Sequence, residues 1–104
     1  MKIAGLGKPG GCKLIRISAD LQGPTLRSIQ IRGDFFASPE EVFDQVEKAL
    51  EGIRLCDLSG AFDAFIRERG VETYGISGAG LAEVVEAAAH AAGGESPGEA
   101  RRGR

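Results

Sequence analysis

Between residues 13 and 32 hydrophobic and polar side chains change places with nearly every step. Ile15, Ile17 and Ala19 fall on one side, and Leu14, Arg16, Ser18 and Asp20 on the other. A period of two predicts a strand with a single buried face. Gly23-Pro24 interrupts the pattern with turn chemistry. Alternation then resumes over residues 25–32, with Ile29 and Ile31 inward and Ser28, Gln30 and Arg32 outward. Residues 2–8 supply a further short strand ahead of the Pro9-Gly10-Gly11 turn. The N-terminal part therefore predicts an antiparallel meander of three strands.

From Ser38 the period lengthens to that of a helix. Ser38 is suited to cap it, Pro39 to its first position and Glu41 to completing a capping box. Val42, Phe43, Val46, Ala49 and Leu50 form the apolar stripe, and Gly52 is the expected stop. A second helix is predicted from Asp57 or Leu58 to Arg69, with Leu58, Phe62, Phe65 and Ile66 as its stripe and Gly70 at its end. Gly60 weakens its first turn by roughly 1 kcal/mol relative to Ala. A third begins after Ser77, presents Leu81, Val84, Val85 and Ala88, and runs to Ala92. Three strands followed by helices predict a two-layer α+β domain over residues 1–92, with the helices packed on one sheet face. Residues 93–104 carry no apolar side chain larger than Ala and are expected to be a disordered tail.

The length of 104 residues fits one domain with a modest core. No apolar run reaches the roughly 20 residues of a membrane span. The start, MKIAGLGKPG, is too broken by glycine for a signal peptide, so a cytoplasmic protein is expected. Net charge is −2, yet the charges are segregated. Lys2, Lys8, Lys13, Arg16, Arg27 and Arg32 face only Asp20 in the first third, while acids dominate from Asp34 onward. The N-terminal element thus favours an anionic ligand or acidic partner. Nucleic acid fits poorly, because the domain is acidic overall and no aromatic residues interleave with the basic ones.

Catalytic constellations are sparse, and no catalytic or metal-ligating residue is assigned. Cys12 and Cys56 lack metal-site spacing, and reduced structural thiols are expected. His90 has no other His in the chain and no Cys near it in sequence, and reads as a solvated residue near a helix end. Gly5 to Gly11 lacks the Lys-Ser/Thr pair and following helix of a phosphate loop. Gly75 to Gly80 lacks dinucleotide spacing and reads as a flexible lead-in to the third helix.

The outward face of the meander mixes apolar and cationic groups, as partner-binding surfaces do. Pairing around Gly23-Pro24 is expected to set Arg16 opposite Gln30 and Leu14 near Arg32. If strand parity holds through Gly33, Phe35 turns inward and Phe36 outward, although a bulge at Gly33 would exchange them. An ordinary solvated sheet face accounts for the same pattern.

The order of these signals resembles the accessory domain of lipoate–protein ligases. The resemblance rests on Lys8 to Leu14 (K-x-x-G-x-K-L, with Cys12 in place of the usual Gly), Ile31 to Phe36 (I-x-G-D-F-F), Pro39 to Glu41, and Glu47 to Gly52 (E-x-A-L-x-G). Gly75 to Ser77 adds weaker support. It implies an α+β fold related to sulfur-transfer and iron–sulfur scaffold domains. It also implies a separate accessory subunit that pairs with a catalytic subunit, with no activity expected alone. In such ligases the catalytic subunit holds lipoate, ATP and Mg²⁺ and makes lipoyl-adenylate, and the lipoyl-acceptor protein is met only indirectly. Lys13, Arg16 and Arg32 are the expected contacts to the partner or its active site, with Gly33, Asp34, Phe35 and Phe36 shaping the corner. A single-thiol sulfur carrier using Cys56, or an unrelated protein-interaction module, are the competing readings.

Overall fold

The computed structural model describes residues 1–93. Strands β1 (Lys2–Gly7), β2 (Ile15–Gln22) and β3 (Thr25–Gly33) form an antiparallel sheet in the order β1-β2-β3. Helices α1 (Glu40–Ala49), α2 (Leu58–Glu68) and α3 (Gly78–Gly93) follow, with a 3-10 turn over Leu55–Asp57. The expected α+β architecture is therefore present. α3 extends one residue beyond the expected boundary, and the disorder expected for the rest of the tail lies outside the described residues.

The inner face is built as the alternation requires. Ile15, Ile17, Ala19 and Leu21 from β2 are buried with Leu26, Ile29 and Ile31 from β3 and Ile3 from β1. Against them lie Phe43, Val46 and Leu50 of α1, Leu58 and Phe62 of α2, and Leu81, Val84, Val85 and Ala88 of α3. Burying each large aliphatic or aromatic side chain contributes about 1.5–3 kcal/mol, which makes this face the main source of stability. Phe43 joins α1 to α2 by an edge-on contact with Phe62, their centroids 6.1 Å apart.

Four features depart from expectation. First, Arg16 pairs with Arg32, and Ser18 with Gln30, because the turn pairs Gln22 with Thr25 and the β2–β3 ladder shifts by one further residue between Asp20 and Leu21. Leu21 faces Leu26 but Asp20 faces Ser28, which leaves Arg27 as the extra residue of a bulge. Leu26 and Ile29 are three apart, and the bulge is what turns both inward. Second, a two-stranded ribbon is added by β4 (Phe36–Ser38) and β5 (Glu72–Tyr74). Third, Ser38 does not cap α1, because it is paired to Glu72 in that ribbon. Pro39 occupies the cap position, its carbonyl accepting from Val42 and Phe43, with no side-chain cap. Fourth, the start of α3 is not flexible. Gly80 N–H donates to Ser77 Oγ (3.1 Å), and Gly78 N–H donates to Asp63 Oδ1 of α2 (2.8 Å). A Cβ on Gly78 would run into the Ser59 carbonyl, and one on Gly80 would lie 2.6 Å from Cys12 Sγ. These glycines serve close packing.

Candidate functional site

On the outer face the same strands present their even-numbered residues, and no helix among the described residues covers them. Register aligns them in rows across the sheet: Leu6–Arg16–Arg32, Ala4–Ser18–Gln30 and Lys2–Asp20–Ser28. A shallow groove runs between the first two rows. Leu6 is 61% exposed beside Arg16, a large apolar side chain with nothing packed over it.

The two arginines of the first row differ. Arg32 lies on the edge strand and turns over that edge. Its Nη1 donates to Glu47 Oε2 of α1 (2.9 Å) and to its own neighbour's carbonyl, Ile31 O (2.8 Å). Glu47, buried among the helix stripe, also accepts from Ile31 N–H at 2.7 Å. Ile31 N–H points away from β2 and has no strand to pair with, so the carboxylate stands in for the missing one. Arg16 makes no ion pair among the described residues. Its charge is open to solvent, while that of Arg32 is largely answered by Glu47. Asp20, at the far end of the face, is held below the ordinary carboxylate range by the hydrogen bond from the Met1 ammonium.

At the other end of the sheet the chain leaves β3 through Gly33. Its φ of +144° is a conformation for glycine, and a Cβ there would strike the Leu14 carbonyl. Asp34 N–H then donates to Leu14 O (3.0 Å), fixing the corner. Phe35 turns inward, half-buried, with its ring centroid 5.7 Å from that of Phe43. Phe36 turns outward, 57% exposed, and pairs across the ribbon with Tyr74, itself 68% exposed. Lys13 joins this pair: its N–H donates to Gly75 O (2.8 Å), and its Nζ stands 5.8 Å from the Tyr74 ring centroid. That distance is within cation–π range.

No family model matches the chain. It is 35% identical over 63 residues to lipoate-protein ligase A subunit 2 of Thermoplasma acidophilum, a match spanning 61% of this chain and 66% of that protein. It thus spans just under two thirds of that relative's length. In fold it is similar to a chain of a solved archaeal lipoylation system from Thermoplasma acidophilum, comprising a bi-partite lipoate protein ligase and its E2 lipoyl domain. That likeness has a TM-score of 0.66 and 28% identity, over 80% of this chain and 92% of the other. In sequence and in fold the chain is thus similar to proteins of an archaeal lipoylation system.

Within this fold, the seven residues singled out from sequence separate into three groups. Arg16 and Arg32 meet on the sheet face. Gly33, Asp34 and Phe35 build the corner and hold it to the core. Lys13 and Phe36 belong to the ribbon with Tyr74. Leu6, Glu47 and Tyr74 received no role from sequence. Glu47 had a readable signal, since it stands four residues after Phe43 and three before Leu50, on the apolar stripe itself. Tyr74 closes Val71-Glu72-Thr73-Tyr74, a β-rich run bounded by Gly70 and Gly75.

The two thiols of the chain are free, Cys12 buried 3.7 Å from Ser77 Oγ and Cys56 exposed in the 3-10 turn. His90 is exposed in the last turn of α3. No helix among the described residues is long and apolar enough to cross a membrane.

Proposed function

We propose that this chain is the accessory subunit of a bipartite lipoate–protein ligase, required with a catalytic subunit for ATP-dependent activation of lipoate to lipoyl-adenylate. The observation that carries the reading is the match to a relative that is itself a separate ligase subunit, on a chain whose basic sheet face has no cover. Lipoate, ATP and Mg²⁺ are assigned to the catalytic subunit, and the lipoyl-acceptor domain is met through it. Among the described residues of this chain no three His, Cys, Asp or Glu side chains are grouped to hold a metal ion. The cytoplasm is the proposed location.

The physical role is electrostatic and steric. Attack of a carboxylate on ATP brings two anions together, and positioning with charge stabilisation lowers that barrier. Docking a cationic, partly apolar surface beside the active site excludes water and steadies its loops. Arg16 carries the open charge, and the corner from Gly33 to Phe36 keeps the surface in shape. No residue of this chain takes a chemical step.

The test is lipoate-dependent ATP–pyrophosphate exchange by the matching catalytic subunit, with and without this chain. Exchange is expected only with both, and Arg16→Ala is expected to lower it by about tenfold or more, the scale of one lost charge-stabilising contact. Equal exchange without this chain, or an unchanged rate in the Arg16→Ala, Arg32→Ala double variant, would overturn the reading.

A further inference from the structure

The two edges of the sheet are treated differently. On β3, Glu47 takes the N–H of Ile31, and the Gly52 to Arg54 segment takes up the strand's start. There Leu26 N–H donates to Ile53 O (2.8 Å), and Gly52 N–H donates to Leu26 O (2.7 Å). On β1 no such device exists among the described residues. The direction of its free groups follows from the ladder. Met1 and Leu21 exchange both backbone hydrogen bonds, each 2.7 Å. Antiparallel pairs alternate between bonded and non-bonded, so Ile3, Gly5 and Gly7 bond to β2, while the N–H and C=O groups of Lys2, Ala4 and Leu6 point outward. The outward N–H of Ile31 independently demands the same phase, counted across β2 from the other side.

This edge runs for six residues without proline or bulge, and its single charged side chain is Lys2 at one end. Natural edges are ordinarily blunted by charges, prolines, bulges or cover. Leu6 projects from it onto the open face beside Arg16, which has no ion-pair partner among the described residues, with Lys8 just beyond the strand's end. A second copy of this chain, paired antiparallel about Ala4, would bring its Lys2 beside Leu6 and toward Arg16 behind it, so like charges disfavour self-pairing. The complementary occupant is an extended acidic segment with an apolar residue to cover Leu6.

We propose that β1 accepts such a segment from the catalytic subunit as a fourth strand, continuing the sheet across the subunit boundary. This rests on the accessory-subunit reading and adds the mode of contact. Main-chain hydrogen bonds supply affinity in strand addition, and neighbouring side chains supply selectivity.

The experiment measures binding of purified catalytic subunit to wild type, Ala4→Pro and Ala4→Ser. Proline is tolerated on an edge strand where its N–H faced solvent, but leaves no donor for an added strand. Ala4→Pro is expected to weaken binding by about tenfold or more, with Ala4→Ser unaffected. Hydrogen exchange on the wild-type pair gives a second readout that does not depend on any variant folding. The Lys2, Ala4 and Leu6 amides are expected to exchange quickly in the free chain and slowly in the complex. Wild-type affinity in a folded Ala4→Pro variant, or a complex in which those amides stay unprotected, would overturn the strand addition and leave the subunit assignment standing. Failure of the wild-type chains to bind at all would overturn the subunit assignment itself.

Discussion

The inner and outer faces of the sheet come from the same three strands, one residue apart, and have opposite fates. Ile15, Ile17 and Ala19 are buried beneath the helices, whereas Arg16, Ser18 and Leu6 meet solvent. The inner residues are apolar and interlock with α1, α2 and α3. The outer ones are held in rows by the register but touch no other layer. Stability is therefore concentrated on one side of the sheet and recognition is left to the other. Glu47 is the exception that joins them, reaching from a helix on the inner side to an arginine of the outer row.

Three substitutions test that division, and the largest effect belongs to the inner face. Ile17→Ala removes a fully buried side chain from the centre of β2 and is expected to cost about 2–5 kcal/mol in denaturant unfolding. Glu47→Ala is intermediate. It leaves Ile31 N–H without an acceptor and Arg32 without its counter-charge, and should cost about 1–3 kcal/mol. Faster exchange of the Ile31 amide would identify the cause. Arg16→Ala touches only the outer face, and its stability should stay within about 0.5 kcal/mol of wild type, even where the proposed role has it lower ATP–pyrophosphate exchange. If Arg16→Ala were as unstable as Ile17→Ala, the two faces would not be separable in this way.

Much of this could be read before any coordinates. The parity of Ile15, Ile17, Ile29 and Ile31 sets the buried face, and the stripes of all three helices are where their spacing puts them. What escaped reading depended on contacts distant in sequence. β4 and β5 are three residues each, too short for a period of two to register, and each exists by pairing with the other. Once Ser38 was drawn into that pairing it was lost as a cap. Gly78 and Gly80 looked like flexible punctuation because Asp63, Ser59 and Cys12, which crowd them, lie far away in sequence. On the outer face, Arg16 and Arg32 could be named from sequence. That one is answered and the other open depends on Glu47, which only the packing of α1 against β3 brings within reach.

The bulge at Arg27 bears on how related chains are to be aligned. With it, Leu26 and the isoleucines of β3 share one face, and Arg16 faces Arg32. A chain lacking that one residue keeps every other pairing, because Leu26 stays opposite Leu21 and Ser28 opposite Asp20, and its strand then alternates without interruption. A gap placed opposite Arg27 therefore keeps every later β3 residue on its own side of the sheet. Alignments that slide the gap into the neighbouring Gly23-Pro24 turn, where insertions are usually assigned, would set the counterpart of buried Leu26 against exposed Arg27 and leave Arg32 correctly placed.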